Sequence, residues 1–121
     1  MIPRRKKKPA KFQGPDPFPL MCKAAGLGVP VKEYEFHPVR KWRVDYYFPR
    51  LGLAVEVEGG VWQQGRHTRG SGFVKDMQKY NALAVAGIHL MRFQPKQMQS
   101  EAIVAIVDFA TQQWKRGYHA E

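Results

Sequence analysis

The chain has 121 residues, enough for one hydrophobic core and one domain but not for two. Hydrophobic residues make up 44% of it, which argues against an intrinsically disordered chain, and 20 Lys and Arg face only 10 Asp and Glu. The resulting net charge of +10 favours a polyanionic partner, either nucleic acid or an acidic membrane surface.

The cysteine content and the hydropathy pattern bear on the cellular compartment. The single cysteine, Cys22, excludes a disulfide framework and a cysteine-based zinc site, and it is typical of a reducing compartment. No apolar run approaches the about 20 residues of a membrane span. The basic N-terminus is not followed by the apolar stretch of a secretory signal. We therefore expect a cytoplasmic protein with no membrane partner.

The first 17 residues are basic and rich in proline. Six basic residues stand within eleven positions: Arg4, Arg5, Lys6, Lys7, Lys8 and Lys11. The prolines exclude a regular helix, so we predict a flexible basic arm over residues 1–17 and a single domain over residues 18–121. The arm either only aids solubility or adds non-specific phosphate contacts. The second role is favoured because the rest of the chain is basic as well.

Seven elements are predicted after the arm, in the order α-β-β-β-α-β-α. They span residues 18–26, 31–36, 41–48, 51–59, 73–86, 88–93 and 100–116. The second and third strands are joined by the turn "PRLG", and a glycine-rich loop covers residues 61–72. Because a long helix lies between the third and fourth strands, these two strands can be parallel. The expected fold is α/β, with a mixed sheet and helices on its faces.

Two helix details are also predicted. In the helix after the loop, one face collects Phe73, Met77, Tyr80 and Ala84, and Gly87 ends the helix. Ser100 stands at the N-cap position of the last helix. That helix is expected to form core or a dimer surface.

The second and third strands carry an unusual share of the acids. A turn centred between Arg50 and Leu51 places Asp45 opposite Glu56, with Glu58 on the same face. The other face collects apolar side chains: Val44, Tyr46, Phe48, Leu53, Val55 and Val57. Opposed like charges are unfavourable, and a divalent cation offsets them. The alternative is a solvated strand face whose acids pair with Arg43 or a nearby lysine.

The order of these motifs resembles the PD-(D/E)XK nuclease superfamily. The resemblance is carried by Asp45, by "EVEGGVW", by "GRHTRG" and by "KDMQKYNALAVAGIHLMRF". Within that superfamily the chain is similar to small phage or prophage endonucleases grouped with the very-short-patch repair endonuclease. The resemblance implies a restriction-endonuclease-like α-β-β-β-α-β core. It also implies a Mg²⁺-dependent endonuclease, with Mn²⁺ as a substitute, acting on duplex or branched DNA in a bacterium or a phage-infected host cell.

The same resemblance implies roles for individual residues. Asp45 corresponds to the metal-bridging aspartate and Glu56 to the second acidic ligand. The chain departs from the family at Glu58, where the family has a lysine that positions or activates the attacking water. Glu58 is either a third metal ligand or simply a replacement. The missing basic group could then come from Lys75 or Lys79, of which we prefer Lys79. The alternative is that both are phosphate-contacting or solvated lysines of the helix.

Further residues are candidates for DNA contact or for accessory roles. The expected DNA contacts are Arg43, Trp62, Arg66, Arg69 and Lys75, together with Arg4, Arg5, Lys6, Lys7 and Lys8 of the arm. His67 is either a general acid that positions water or a simple DNA contact, and His37 and His89 are expected to be structural. Glu33 and Glu35 are expected on an exposed strand face, with an approach of one of them to the metal site left open.

Two functions other than catalysis remain open from the sequence. A non-catalytic nucleic-acid-binding module would keep the fold without the activity, and Glu58 in place of lysine supports it. A structural partner of a nucleoprotein complex would act mainly through the basic arm. The sequence leaves the oligomeric state open, and a homodimer would be needed for symmetric cutting of two strands.

Overall fold

The computed structural model describes residues 15–59 and 71–117, and within these ranges the predicted α/β class and order of elements are confirmed. The helices and strands are α1 Phe18–Ala24, β1 Val31–Glu35, β2 Arg43–Phe48, β3 Leu53–Val57, α2 Ser71–Val85, β4 His89–Phe93 and α3 Glu101–Lys115. A short 3₁₀ turn, Pro95–Gln97, joins β4 to α3 and was not predicted. No helix in the described ranges is long and apolar enough to cross a membrane.

The four strands form one mixed sheet in the order β1-β2-β3-β4. The first two pairings are antiparallel, and β3 pairs with β4 in parallel because α2 returns the chain to the same end of the sheet. Tyr46 pairs with Val55 and Phe48 with Leu53, which is the predicted register. Gly52 ends the turn with a φ of 58°, a conformation that suits glycine.

One face of the sheet is covered by α1 and α3. The buried residues of this layer are Phe18, Cys22, Tyr46, Phe48, Leu53, Val55, Val57, Met98, Ala102 and Ile106. Ser100 occupies the N-cap position of α3 as predicted, but its side chain makes no capping hydrogen bond. The burial of Ala102 and Ile106 therefore does more than a cap to fix the start of this helix.

The other face of the sheet is covered by α2. Tyr80 of the predicted helical face packs here, but the most buried position of the helix lies outside that face, and Val44 was wrongly predicted to join the residues of the first layer. Among residues 74–85 of α2, the buried one is Leu83, with 1% of its surface exposed, whereas Met77 is 44% exposed. The apolar run over residues 82–86 fits several helical faces, and packing against Ala54 selects the one that contains Leu83. Val44 packs with this second cluster as well, because its partner in β1 is Tyr34, which lies against the same cluster.

The chain enters the domain through Asp16, within the predicted arm. Its carboxylate accepts hydrogen bonds from the Tyr46 hydroxyl and, at 3.0 Å, from the Phe18 amide, and Lys32 lies 3.0 Å away. Burial alone would raise the pKa of Asp16, but these hydrogen bonds outweigh it and hold the pKa below its ordinary value. Asp16 thus ties the start of α1 to the centre of the sheet.

Candidate active site

Asp45 and Glu56 lie on the two central strands, near the end of the sheet where β3 finishes. Asp45 Oδ2 accepts a hydrogen bond of 2.8 Å from the Val57 amide. Glu56 is only 9% exposed, and all five residues of β3 are buried because the strand has neighbours on both sides and helices on both faces. The fold therefore holds one carboxylate inside the protein and a second one beside it.

Lys79 of α2 forms an ion pair with Glu56. Its Nζ lies 2.5 Å from Glu56 Oε2, and the two side chains are 16% and 11% exposed. Lys79 stands four residues before the buried Leu83, so the helical repeat directs both toward the sheet. Lys75, one turn earlier, is exposed. The structure thus brings to the acids the lysine that the sequence analysis preferred.

The electrostatics of Glu56 reflect competing effects. Burial raises the pKa of its carboxyl, and the negative charges of Asp45 and Glu58 raise it further, while the hydrogen bond and charge of Lys79 lower it. The balance leaves the pKa above its ordinary value. An additional positive charge at this point would therefore stabilise the ionised form.

Glu58 follows β3 and lies against a different set of side chains. Its amide donates a hydrogen bond of 2.7 Å to the Phe93 carbonyl, and its Oε2 lies 3.4 Å from the Tyr80 hydroxyl. The Arg92 guanidinium sits over the Tyr80 ring, 4.9 Å from the ring centre. The contact of Tyr80 with Glu58 was not predicted, although Tyr80 directly follows Lys79 in the sequence.

The resemblance implies that the carboxylates of this site hold Mg²⁺. Among the described residues, no group of three or more His, Cys, Asp or Glu side chains is placed to hold a metal ion. Mg²⁺ is usually bound by one or two carboxylates together with substrate phosphates, so Asp45 and Glu56 suffice as protein ligands. Two carboxylates are the number and kind of protein ligand that such a site uses, and the Mg²⁺ itself stays a prediction. A third ligand role for Glu58 stays a prediction.

Arg43 does not pair with the acids of the candidate site, which was one alternative that the sequence left open. Arg43 pairs with Glu35, with two of its nitrogens 3.1 Å from Glu35 Oε2, instead of with Asp45 or Glu58. The reason is register, because Glu35 is the cross-strand partner of Arg43 in β1. Glu33 is exposed and has a φ of 52°, outside the regular strand pairing. Both glutamates lie on the exposed strand surface, as expected.

Several predicted contact residues belong to the glycine-rich loop and to the arm. These are Trp62, Arg66, His67 and Arg69 of the glycine-rich loop, and Arg4, Arg5, Lys6, Lys7 and Lys8 of the arm, all of which lie outside the described residues. Two histidines within the described ranges have structural contacts. His37 Nδ1 accepts two main-chain hydrogen bonds, and the His89 ring packs edge-on against Phe109.

Comparison of the chain with protein-family models, with curated proteins and with solved structures found no match. We therefore infer function from the geometry and the chemistry of the site.

Proposed function

We propose that the protein is a Mg²⁺-dependent DNA endonuclease of the PD-(D/E)XK type that hydrolyses phosphodiester bonds, with Mn²⁺ as a substitute metal. The observation that carries this proposal is the ion pair between Lys79 and the buried Glu56, on the strand beside Asp45. Two neighbouring acids, one of them paired with a lysine, are the set of side chains that the superfamily motif assembles. Here the lysine comes from the following helix instead of from position 58.

The arrangement of the elements supports the same proposal. The order α-β-β-β-α-β and the mixed four-stranded sheet are those expected for a restriction-endonuclease-like core. Asp45 stands on the second strand and Glu56 on the third, at the positions where the superfamily carries its metal ligands. The excess of 10 positive charges favours a DNA partner.

Each residue of the site has a distinct part in the proposed reaction. Asp45 and Glu56 provide the carboxylate oxygens that a hard divalent cation requires. When bound, that cation would lower the pKa of a water molecule and stabilise charge on the phosphoryl oxygens. Lys79, held by Glu56, provides an ammonium group that orients the attacking water and offsets negative charge as the phosphate is attacked.

The burial of the ion pair explains how Lys79 acts from a helix. An ammonium on a long side chain adopts many rotamers in water, whereas here it is fixed between β3 and α2 with 16% of its side chain exposed. Catalytic groups are most effective when their position is set before the substrate binds. Lys75, exposed on the same helix, is assigned to DNA contact instead.

A non-catalytic nucleic-acid-binding module is the second candidate. The observation that favours it is that Lys79 already neutralises Glu56 without a cation. In that case the ion pair is a structural link between α2 and the sheet, and the basic surface alone binds DNA. The two candidates differ in one measurable property, which is cleavage of DNA in the presence of a divalent metal.

The deciding experiment incubates the protein with supercoiled plasmid, single-stranded DNA and a four-way junction in Mg²⁺, Mn²⁺ or EDTA. Asp45→Asn is the test variant, and Asp108→Asn, the same change at an exposed position of α3, is the matched control. The proposal predicts metal-dependent cleavage that Asp108→Asn retains and Asp45→Asn loses. Binding without cleavage under every metal would favour the binding module instead.

A further inference from the structure

The connection between β1 and β2, residues 36–42, is held in shape by its own side chains. His37 Nδ1 accepts hydrogen bonds from the amides of Val39, at 3.1 Å, and of Arg40, at 2.9 Å. A side chain that satisfies two successive amides fixes the backbone of a turn. We refer to residues 36–42 as the cationic turn, because Arg40 and Lys41 follow its tip.

Within the cationic turn, Arg40 is positioned on an aromatic base. Its guanidinium lies 4.3 Å from the centre of the Trp42 ring, and Trp42 is in turn stacked with Phe36 at 6.3 Å. An aromatic face orients a guanidinium without using its N–H donors, which stay available for an anion. Among the described residues, no carboxylate forms an ion pair with Arg40 or Lys41.

The cationic turn lies at the end of the sheet that carries the acids. The pair of Glu35 with Arg43 closes its base, and Asp45 follows Arg43 by two positions in β2. At about 3.4 Å per strand residue, Trp42 stands roughly 10 Å from Asp45 along the strand. That distance corresponds to about three nucleotides of rise in duplex DNA.

Charge is concentrated toward the tip of this turn. At its base the positive charge of Arg43 is offset by Glu35 at 3.1 Å, whereas Arg40 and Lys41 are exposed. Arg40, positioned on Trp42, and the exposed Lys41 thus lie toward the same end of the sheet as a pair of carboxylates, an arrangement that suits a ligand with regularly spaced negative charges. Such a ligand can meet the cations with one phosphate while another approaches the acids.

We propose that the cationic turn is a binding site for the DNA backbone, in which Arg40 and Lys41 contact phosphates a few nucleotides from the one that is cut. This inference rests on the proposed function, and it adds a binding surface outside the acids, the arm and the glycine-rich loop. Arg40 is a contact residue, and His37 and Trp42 position it. The contact is to the sugar-phosphate backbone, so it sets register and affinity and not base sequence.

The test measures the binding of a short labelled duplex in EDTA over a series of salt concentrations. The logarithm of the affinity falls linearly with the logarithm of the salt concentration, and each lost phosphate contact makes this decline less steep by about 0.9. Arg40→Ala and Lys41→Ala are each expected to show this reduction. Thermal melting checks that both variants fold, and Lys41→Ala does not touch the aromatic stack, so it keeps the test valid if Arg40→Ala is destabilised.

Two control variants separate a phosphate contact from a general effect of charge or of the turn. Lys23→Ala removes the same charge at an exposed position of α1, and Val39→Ser changes a 79% exposed residue of the turn without removing charge. Both are expected to keep the wild-type slope. If Arg40→Ala and Lys41→Ala also keep it, or if Lys23→Ala lowers it equally, the proposed site is wrong.

The outcome is independent of whether the protein cuts DNA. If Arg40→Ala and Lys41→Ala show a reduced slope but the protein cleaves no DNA, the cationic turn stands as a binding site and the nuclease proposal is rejected. Metal-dependent cleavage together with an unchanged slope in both turn variants would retain the nuclease and reject the cationic turn.

Discussion

The ammonium of Lys79 lies 2.5 Å from Glu56 Oε2 and joins helix α2 to the central strand β3. Helix α2 is the crossover between the parallel strands β3 and β4, so the same connection that makes the sheet mixed also carries the lysine. Breaking a buried ion pair at one partner is costly, because the other charge is left without compensation. The pair should therefore affect stability, and under the proposed function it should affect catalysis as well.

Lys79 and Lys75 are expected to have separable effects on cleavage. Lys79→Gln keeps a hydrogen-bond donor near Glu56 but removes the charge, so the single-turnover cleavage rate at saturating DNA should fall by about a hundredfold or more. Lys75→Gln removes an exposed charge one turn earlier and should weaken DNA binding while leaving that rate unchanged. Equal rates for Lys79→Gln and wild type would exclude Lys79 from the reaction.

The stability of the protein should depend on pH through the raised pKa of Glu56. Its pKa in the folded protein is raised above the ordinary value of 4.5, so the stability it contributes is present at lower pH and is lost as pH rises through the raised pKa. Glu56→Gln does not titrate and should gain stability relative to wild type over that interval. Chemical denaturation at a series of pH values measures the difference. A difference that stays constant, or that changes in the opposite direction, would contradict the raised pKa.

Asp16 should show the opposite dependence. Its pKa is held below the ordinary value of 3.8, so its contribution is present above that pH and is lost as pH falls through the lowered pKa. Asp16→Asn should reduce the free energy of unfolding by about 2 kcal/mol at neutral pH, because hydrogen bonds to a charged acceptor are replaced by neutral ones. Urea denaturation of this variant and of Asp108→Asn measures it, and the loss should shrink in acid. Equal stability at neutral pH would show that Asp16 does not anchor α1.

Cys22 should be chemically inert in the native protein. It is completely buried, and burial together with the nearby Asp16 raises the pKa of its thiol to about 12. A thiol reagent at neutral pH is expected to modify it only on unfolding, so the labelling rate should increase with denaturant along the unfolding curve. Rapid stoichiometric labelling without denaturant would contradict the burial of α1 against the sheet.

The sequence predicted the parts of the fold that depend on local pattern. The register of β2 with β3 follows from the length of the turn before Gly52, and the parallel pairing of β4 follows from the intervening helix. The buried face of α2 could not be predicted, because the apolar run before Gly87 has no unique helical phase and only Ala54 on the sheet selects Leu83.

In the candidate site, too, local pattern predicted some residues, whereas others depend on tertiary packing. Asp45 and Glu56 were predicted from alternation along two neighbouring strands, and Lys79 was predicted as a replacement for the lysine that the resemblance implies. The contact of Glu58 with Tyr80 and the pair of Arg43 with Glu35 depend on tertiary positions that one sequence does not specify. The anchor from Asp16 to Tyr46 was missed because it joins residues 30 positions apart across an element boundary.

The most direct test of the central claim, that Asp45 and Glu56 hold a divalent cation, needs no knowledge of the DNA substrate. Mn²⁺ binding to the free protein can be measured by electron paramagnetic resonance for wild type, Asp45→Asn and the control Asp108→Asn. Wild type and the control should bind one ion with equal affinity, and Asp45→Asn should bind it about tenfold or more weakly, as expected for the loss of a metal-site group. Equal binding by all three proteins would show that the metal site is not at Asp45.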